Sequence, residues 1–67
     1  MLTEWAELQT QLDASDNIVY MGKHVTYGAA DTDVGWYIWK FYWDANGNFL
    51  KKRGPVIGKW TDRTTLI

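Results

Sequence analysis

The chain has 67 residues, a formal net charge of −1 and no cysteine. A domain of this size buries only a small core, so it usually depends on a disulfide, a metal site or association with other chains. The lack of cysteine excludes a disulfide, and the single histidine argues against a zinc cluster. The composition therefore predicts one small domain over residues 1–67 that is stabilised by association.

Residues 1–16 carry four acidic side chains and no base, and they predict an acidic helix followed by a turn. Trp5, Leu8 and Leu12 are spaced at i, i+3 and i+7, which is one stripe of a helix over about residues 4–12. A helix this short is marginal alone. We therefore expect the Trp5 stripe to dock on the chain's own sheet or on a neighbouring protein.

The rest of the chain, residues 17–67, predicts a β meander. Ile18–Met21 is typical of a first strand, and the stretch from Lys23 to Gly35 has the small and polar residues of an exposed loop. The central strand is Trp36–Trp43, in which every residue except one lysine is aromatic or β-branched. The rest of the sheet is expected to be organised around this strand.

A hairpin turn is predicted after the central strand. Asn46-Gly47 tolerates positive φ, so Asp44–Asn48 should reverse the chain into a returning strand, Phe49–Arg53. A glycine–proline pair then breaks the pattern, and two short β segments follow, Val56–Trp60 and Thr64–Ile67. The predicted fold class is mainly β, a small antiparallel sheet or barrel of about four to five strands with a short N-terminal helix.

The central strand is apolar on both of its faces. Side chains alternate between the faces of a strand, and the two sets are Trp36, Ile38, Lys40 and Tyr42, and Tyr37, Trp39, Phe41 and Trp43. The strand could be covered on both sides, could contain a bulge near Lys40 that exchanges the buried face, or could use one face to bind another molecule. The third arrangement is favoured, because so short a chain has little material to cover two faces.

Two groups of apolar residues are assigned from this pattern, one to the core and one to an interaction surface. Trp36 and Ile38 are expected in the core together with Trp60, and Val19 or Tyr20 should join them from the first strand. Aromatic side chains are enriched at protein interfaces. The predicted interaction residues are Trp5, Tyr37, Trp39 and Trp43.

No catalytic, cofactor-binding or metal-binding residue is predicted, and the chain is not expected to be an enzyme. It has no cysteine nucleophile, and the only histidine, His24, has no adjacent serine or carboxylate partner. Asp31 and Asp33 lack the glycine and glutamate of a calcium hand. The basic run 51–53 beside aromatic residues resembles a nucleic-acid surface. A net charge of −1 favours a solvated edge strand instead, because phosphate binding depends on summed charge.

The sequence also predicts where the protein is made. It has no stretch long and apolar enough to span a membrane, and no basic segment leads into an apolar run as in a signal peptide. We therefore expect synthesis in the cytoplasm and no membrane partner.

Three segments together resemble a group of short tailed-bacteriophage proteins, and the match extends over about residues 18–67. The segments are Tyr20–Lys23, Trp36–Asn48 and Trp60–Arg63 with Leu66. Their shared pattern is Trp-x-Ile-x-Arg/Lys, an aromatic-Asp-Ala-small-Gly-Asn turn, and Trp-x-Asp/Asn-Arg before a short terminal strand. The resemblance implies a phage-encoded, all-β structural protein that is made in the host cytoplasm and becomes part of a virion.

Two functional hypotheses remain open at this point. The first is a structural module that assembles through its aromatic surface with itself, as a homo-oligomer, or with other virion proteins. The second is a small ligand-binding β module, in which exposed indoles stack on carbohydrate rings or on the bases of single-stranded nucleic acid.

Overall fold

A computed structural model describes residues 5–67 as one open antiparallel sheet followed by a short helical segment. The elements are β1 (Glu7–Leu12), β2 (Ile18–His24), β3 (Trp36–Trp43), β4 (Phe49–Gly58), a 3₁₀ helix (Trp60–Asp62) and α1 (Arg63–Leu66). The strands lie in the order β1-β2-β3-β4, and each is antiparallel to its neighbours. The mainly β prediction is confirmed. The described strands form an open sheet with β1 and β4 at its edges.

The predicted N-terminal helix is wrong. Of the predicted residues 4–12, Glu7–Leu12 form β1, an edge strand paired with β2; residues 5 and 6 precede the strand, and residue 4 lies outside the described residues. The segment follows a period of two rather than the helical period. Its half-buried side chains are Glu7, Gln9 and Gln11, and its exposed side chains are Leu8, Thr10 and Leu12.

The polar side chains of β1 explain why the strand forms. Each of the three half-buried ones contacts a residue that is distant in sequence. Glu7 Oε1 accepts the N–H of Gly28 at 2.7 Å, Gln9 Nε2 donates to Asp31 Oδ1, and Arg63 Nε donates to Gln11 Oε1 at 2.7 Å. These long-range contacts favour an extended segment over the helix that local spacing predicts.

The predicted core is confirmed. Trp36 and Ile38 of β3 are fully buried, and Tyr20 and Trp60 are buried beside them. Val19 is partly buried against this cluster. The core therefore lies on one face of the sheet.

His24 closes the same core and fastens the loop 25–35. Its Nδ1 accepts the N–H of Thr26 at 3.0 Å, so Nε2 carries the hydrogen and donates to the carbonyl of Val34 at 2.9 Å. The indole N–H of Trp36 donates to the carbonyl of Ala30 at 2.9 Å. The loop is thus held to the core by side chains from two strands.

The predicted terminal strand, Thr64–Ile67, is also wrong, because the segment forms α1. The guanidinium carbon of Arg63 lies 4.8 Å from the ring centroid of Trp60, and Leu66 packs over Gly58. Docking of these two side chains outweighs the β propensity of the threonines between them.

The two β segments predicted on either side of the glycine–proline pair belong to one strand, β4, which has a bulge at the pair. The prediction is wrong for the end of the second segment, because β4 ends at Gly58 and Trp60 lies in the 3₁₀ helix. Between Ile38 and Lys40 the central strand advances two residues, while its partner advances three, from Val56 to Arg53. The extra residue lies on β4, so β3 keeps its alternation and its faces are not exchanged. β2 also runs three residues beyond its predicted end at Met21, to His24.

The hairpin turn at Asp44–Asn48 is confirmed. Asp44 Oδ1 accepts the backbone N–H groups of Asn46 at 2.9 Å and Asn48 at 2.8 Å. The pKa of this carboxyl lies below its ordinary value, mainly because of the backbone hydrogen bond from Asn48, although partial desolvation opposes the shift. The negative charge therefore helps to hold the turn closed.

We expect Asp44→Asn to flatten the acid dependence of stability. A carboxylate whose pKa is depressed by folding contributes stability that is present above its unfolded pKa, here near 3.8, and is lost as the pH falls through the lower folded value. Urea midpoints measured over a pH series should therefore fall less steeply at acid pH in the variant. Asp62→Asn is the control, because Asp62 makes no side-chain cap hydrogen bond. Equal slopes for wild type and Asp44→Asn would contradict the prediction.

Candidate interaction surface

The sheet has a covered face and an open face. The helical segment covers the face that carries Trp36, where Trp60 lies over Gly22 and Leu66 lies over Gly58. A Cβ at position 22 would stand only 2.6 Å from the Trp60 ring, so the indole packs where β2 has no side chain. The loop 25–35 packs on the same side. The opposite face of β3 is the open face.

Strand register gives the composition of the open face, because residues paired across an antiparallel sheet point to the same side. Along β3 it consists of Tyr37, Trp39, Phe41 and Trp43, and its neighbours are Leu8, Thr10, Met21, Lys23, Lys52 and Ile57. Of the residues outside the strands that the structure describes, Trp5 lies against this face, with its ring centroid 5.0 Å from that of Tyr37. The face is predominantly apolar and aromatic.

The aromatic side chains of the open face support one another. Trp5 meets Tyr37 edge-on at 65°, and Trp43 meets Phe49 at 70° with centroids 5.4 Å apart. The indole N–H of Trp43 donates to the carbonyl of Ile18 at 2.7 Å. These contacts leave the β3 side chains half-buried and in defined orientations.

All four predicted interaction residues lie together on or beside the open face: Trp5, Tyr37, Trp39 and Trp43. Trp39 is central, between Met21 on β2 and the bulge of β4. Sequence reasoning missed the contributions of Met21, Leu8 and Ile57. Nothing local identifies these residues, since only the pairing of the strands brings them beside β3.

The basic run of β4 does not form one cationic strip. Lys51 and Arg53 lie on the covered face, opposite Tyr42 and Lys40, whereas Lys52 lies on the open face. The Lys51 ammonium stands 5.0 Å from the Tyr42 ring centroid. A surface that follows a nucleic-acid backbone needs its cations on one side, so this arrangement favours the solvated edge-strand interpretation.

Other types of site are not evident in the described part of the chain. Among residues 5–67 no concave pocket forms, and no group of three potential metal-ligating side chains comes together. Neither helix of that part is long and apolar enough to cross a membrane. Asp33 Oδ2 accepts the N–H of Ala30 at 2.8 Å, which gives this carboxylate a role in the loop.

Three comparisons were made with known proteins. The chain matches no family model, no curated protein sequence and no solved structure. The open face is therefore the feature from which function is inferred.

Proposed function

We propose that this chain is a non-catalytic structural subunit that assembles through its open face, with copies of itself or with other proteins of a virion. The observation that carries the proposal is the unequal cover of the two faces of β3. The helical segment and the loop pack on the Trp36 side, while among residues 5–67 the Trp39 side has only Trp5 at its margin. Monomeric proteins rarely leave contiguous apolar patches larger than a few hundred Å² in water.

The chemistry of the open face suits association with a protein. Its main side chains are aromatic residues and a methionine, the types enriched at the centres of protein interfaces. Their mutual contacts hold them in place before binding, so less side-chain entropy is lost on association. Trp39 is at the centre, where residues that dominate binding energy usually lie.

The virion setting comes from the resemblance to tailed-bacteriophage proteins. That resemblance rests on Tyr20–Lys23, on Trp36–Asn48 and on Trp60–Arg63 with Leu66. The protein would be made in the host cytoplasm and incorporated in several copies. Mass spectrometry of purified phage particles that encode this chain tests the setting, and its absence from the particles would contradict it.

Trp39→Asp is expected to abolish assembly and leave a folded monomer. A carboxylate at the centre of the face would have to be desolvated on association, which costs several kcal/mol unless it finds a partner. Sedimentation velocity at several protein concentrations measures the result. The wild type should show a sedimentation coefficient that rises with concentration, and the variant should not.

Tyr27→Asp is the matched control for this experiment. It introduces the same charge, and Tyr27 is 87% exposed in the loop, away from the open face. The control should assemble like the wild type. If Trp39→Asp assembled equally well, or if the wild type stayed monomeric at the highest concentration, the proposal would be wrong.

A second candidate function is supported by the lysines of the open face. Lys23 Nζ lies 5.9 Å from the Trp39 ring centroid, and Lys52 is paired with Phe41. Aromatic rings beside cations are typical of surfaces that stack on sugars or on single-stranded bases. Titration of the monomer with an oligosaccharide or an oligonucleotide separates the functions, since saturable binding without self-association favours the ligand-binding module.

A further inference from the structure

We propose that the two edge strands pair between copies, with β4 of one copy beside β1 of the next, so that the sheet continues from subunit to subunit. This inference rests on the proposed function only in taking the chain to be a repeated subunit. It concerns the sheet edges, whereas the proposed function concerns the open face. The occupant of each edge is a second copy of this chain.

The topology permits such a continuation. Strands that form an antiparallel meander alternate in direction, and this sheet has four of them. Its last strand therefore runs opposite to its first. When β1 of a second copy is placed beside β4 in the same orientation as the first copy, the new pair is antiparallel, like every other pair in the sheet. Contacts of this head-to-tail type close into rings when the rotation between copies allows it.

Charge favours pairing of β4 with β1 over pairing of β4 with β4 or of β1 with β1. The segment from Glu7 through Asp16, which holds β1 and its turn, contains three acidic residues and no base. The strand β4 contains Lys51, Lys52 and Arg53 and no acid. Pairing β4 with β4 would bring two basic runs together, and pairing β1 with β1 would bring acids together. Lysine, proline and a bulge on an edge strand hinder its pairing with most other strands. The charge of β4 is complementary to an acidic edge, such as the one that carries β1.

The register of the sheet predicts which residues meet. One row across the sheet joins Leu8, Lys23, Tyr37 and Ile57, so an unsheared continuation places Ile57 beside Leu8 of the next copy. These two apolar side chains are 58% and 59% exposed, and each would cover the other.

A second row supports the same alignment. It joins Gln11, Tyr20, Lys40 and Arg53. Asp13 follows Gln11 by two residues, and Lys51 precedes Arg53 by two. Between the two rows β4 advances four residues and β1 advances three, because of the β4 bulge. With the bulge residue also left unpaired in the new contact, the alignment that covers the apolar pair sets Asp13 beside Lys51 of the neighbouring copy.

Disulfide trapping tests the contact. The native sequence has no cysteine, so every disulfide that forms involves an introduced cysteine. Two single variants are prepared, Leu8→Cys and Ile57→Cys, of which one carries a mass tag. Both positions are exposed, so folding should be preserved. Each variant is oxidised alone and in an equimolar mixture, and the products are separated by non-reducing electrophoresis. We expect a mixed disulfide dimer several-fold more abundant than either homodimer, because side chains directly opposite on paired strands come within disulfide reach.

A charge reversal provides the second measurement. Lys51→Glu, introduced into the Ile57→Cys chain, should reduce mixed crosslinking several-fold because it places like charges beside Asp13. Tyr27→Glu is the control, since it adds a negative charge at a side chain that is 87% exposed in the loop, outside both edge strands. Homodimers as abundant as the mixed dimer, no crosslink, or equal effects of the two substitutions would each overturn the inference.

The crosslinking result for edge pairing can be distinguished from the sedimentation result for the proposed function. Loss of the mixed crosslink overturns edge pairing whatever Trp39→Asp does in sedimentation. A strong mixed crosslink with an unchanged sedimentation profile for Trp39→Asp would instead overturn assembly through the open face and leave the edge contact standing.

Discussion

Trp36→Ala is expected to unfold the domain under conditions in which the wild type is folded. Trp36 is fully buried, its ring lies 5.2 Å from that of His24 and 6.1 Å from that of Trp60, and its indole N–H holds the loop. Truncation of a buried tryptophan costs about 3–5 kcal/mol. Domains have about 0.05–0.15 kcal/mol of stability per residue, so the loss is comparable with the whole free energy of unfolding here.

Circular dichroism and urea titration measure this effect. The variant should lack a cooperative transition or show a midpoint close to zero denaturant. Tyr27→Ala is the matched truncation of an exposed aromatic side chain and should change the free energy of unfolding little. A Trp36→Ala protein that melts like the wild type would refute the core assignment.

Gly54→Ala is expected to destabilise the protein by about 3 kcal/mol or more, since backbone strain and overpacking each cost about 1–3 kcal/mol. Gly54 lies in the β4 bulge with φ of 112°, a region that residues with a Cβ rarely adopt. A Cβ there would stand 2.6 Å from the backbone oxygen of Ile38. Because that oxygen belongs to a buried residue of the central strand, it has no freedom to move aside.

Gly47→Ala is the control that separates the two costs. Gly47 lies in the hairpin turn with φ of 83°, and a Cβ there would have no neighbour within 4 Å. Gly47→Ala should therefore lose only the cost of holding a residue with a Cβ at positive φ, about 1–2 kcal/mol. Urea denaturation of both variants gives the difference, and equal losses would show that the contact with Ile38 is unimportant.

The elements that the sequence predicts correctly are those determined by neighbouring residues. The run of aromatic residues in β3 and the Asn46-Gly47 turn are local signals, and both agree with the structure. β1 fails because its extended form depends on partners such as Gly28 and Arg63, which no local pattern identifies. Trp5, Leu8 and Leu12 match a helical stripe only by coincidence of spacing.

In the candidate site, too, the features set by local sequence are predicted and those set by distant contacts are not. Alternation along β3 correctly separates the Trp36 side from the Trp39 side, since it depends only on strand geometry. It does not show which strands flank β3, so Met21 and Ile57 are found only from register. The C-terminal segment is the clearest failure, because its conformation is set by where Leu66 and Arg63 dock.

Gly22 and Gly58 bear on how the protein avoids misfolding. A strand with one polar face resists slippage, since a shift of one residue turns its apolar set into water. The strand β3 has no such protection, because either set of side chains could be buried. Gly22 and Gly58 leave the space that Trp60 and Leu66 occupy, and a slip of one residue in the direction of Met21 and Ile57 would fill those positions with side chains. The sequence of β3 does not itself specify its register. The absence of side chains at Gly22 on β2 and at Gly58 on β4 therefore selects the correct pairing.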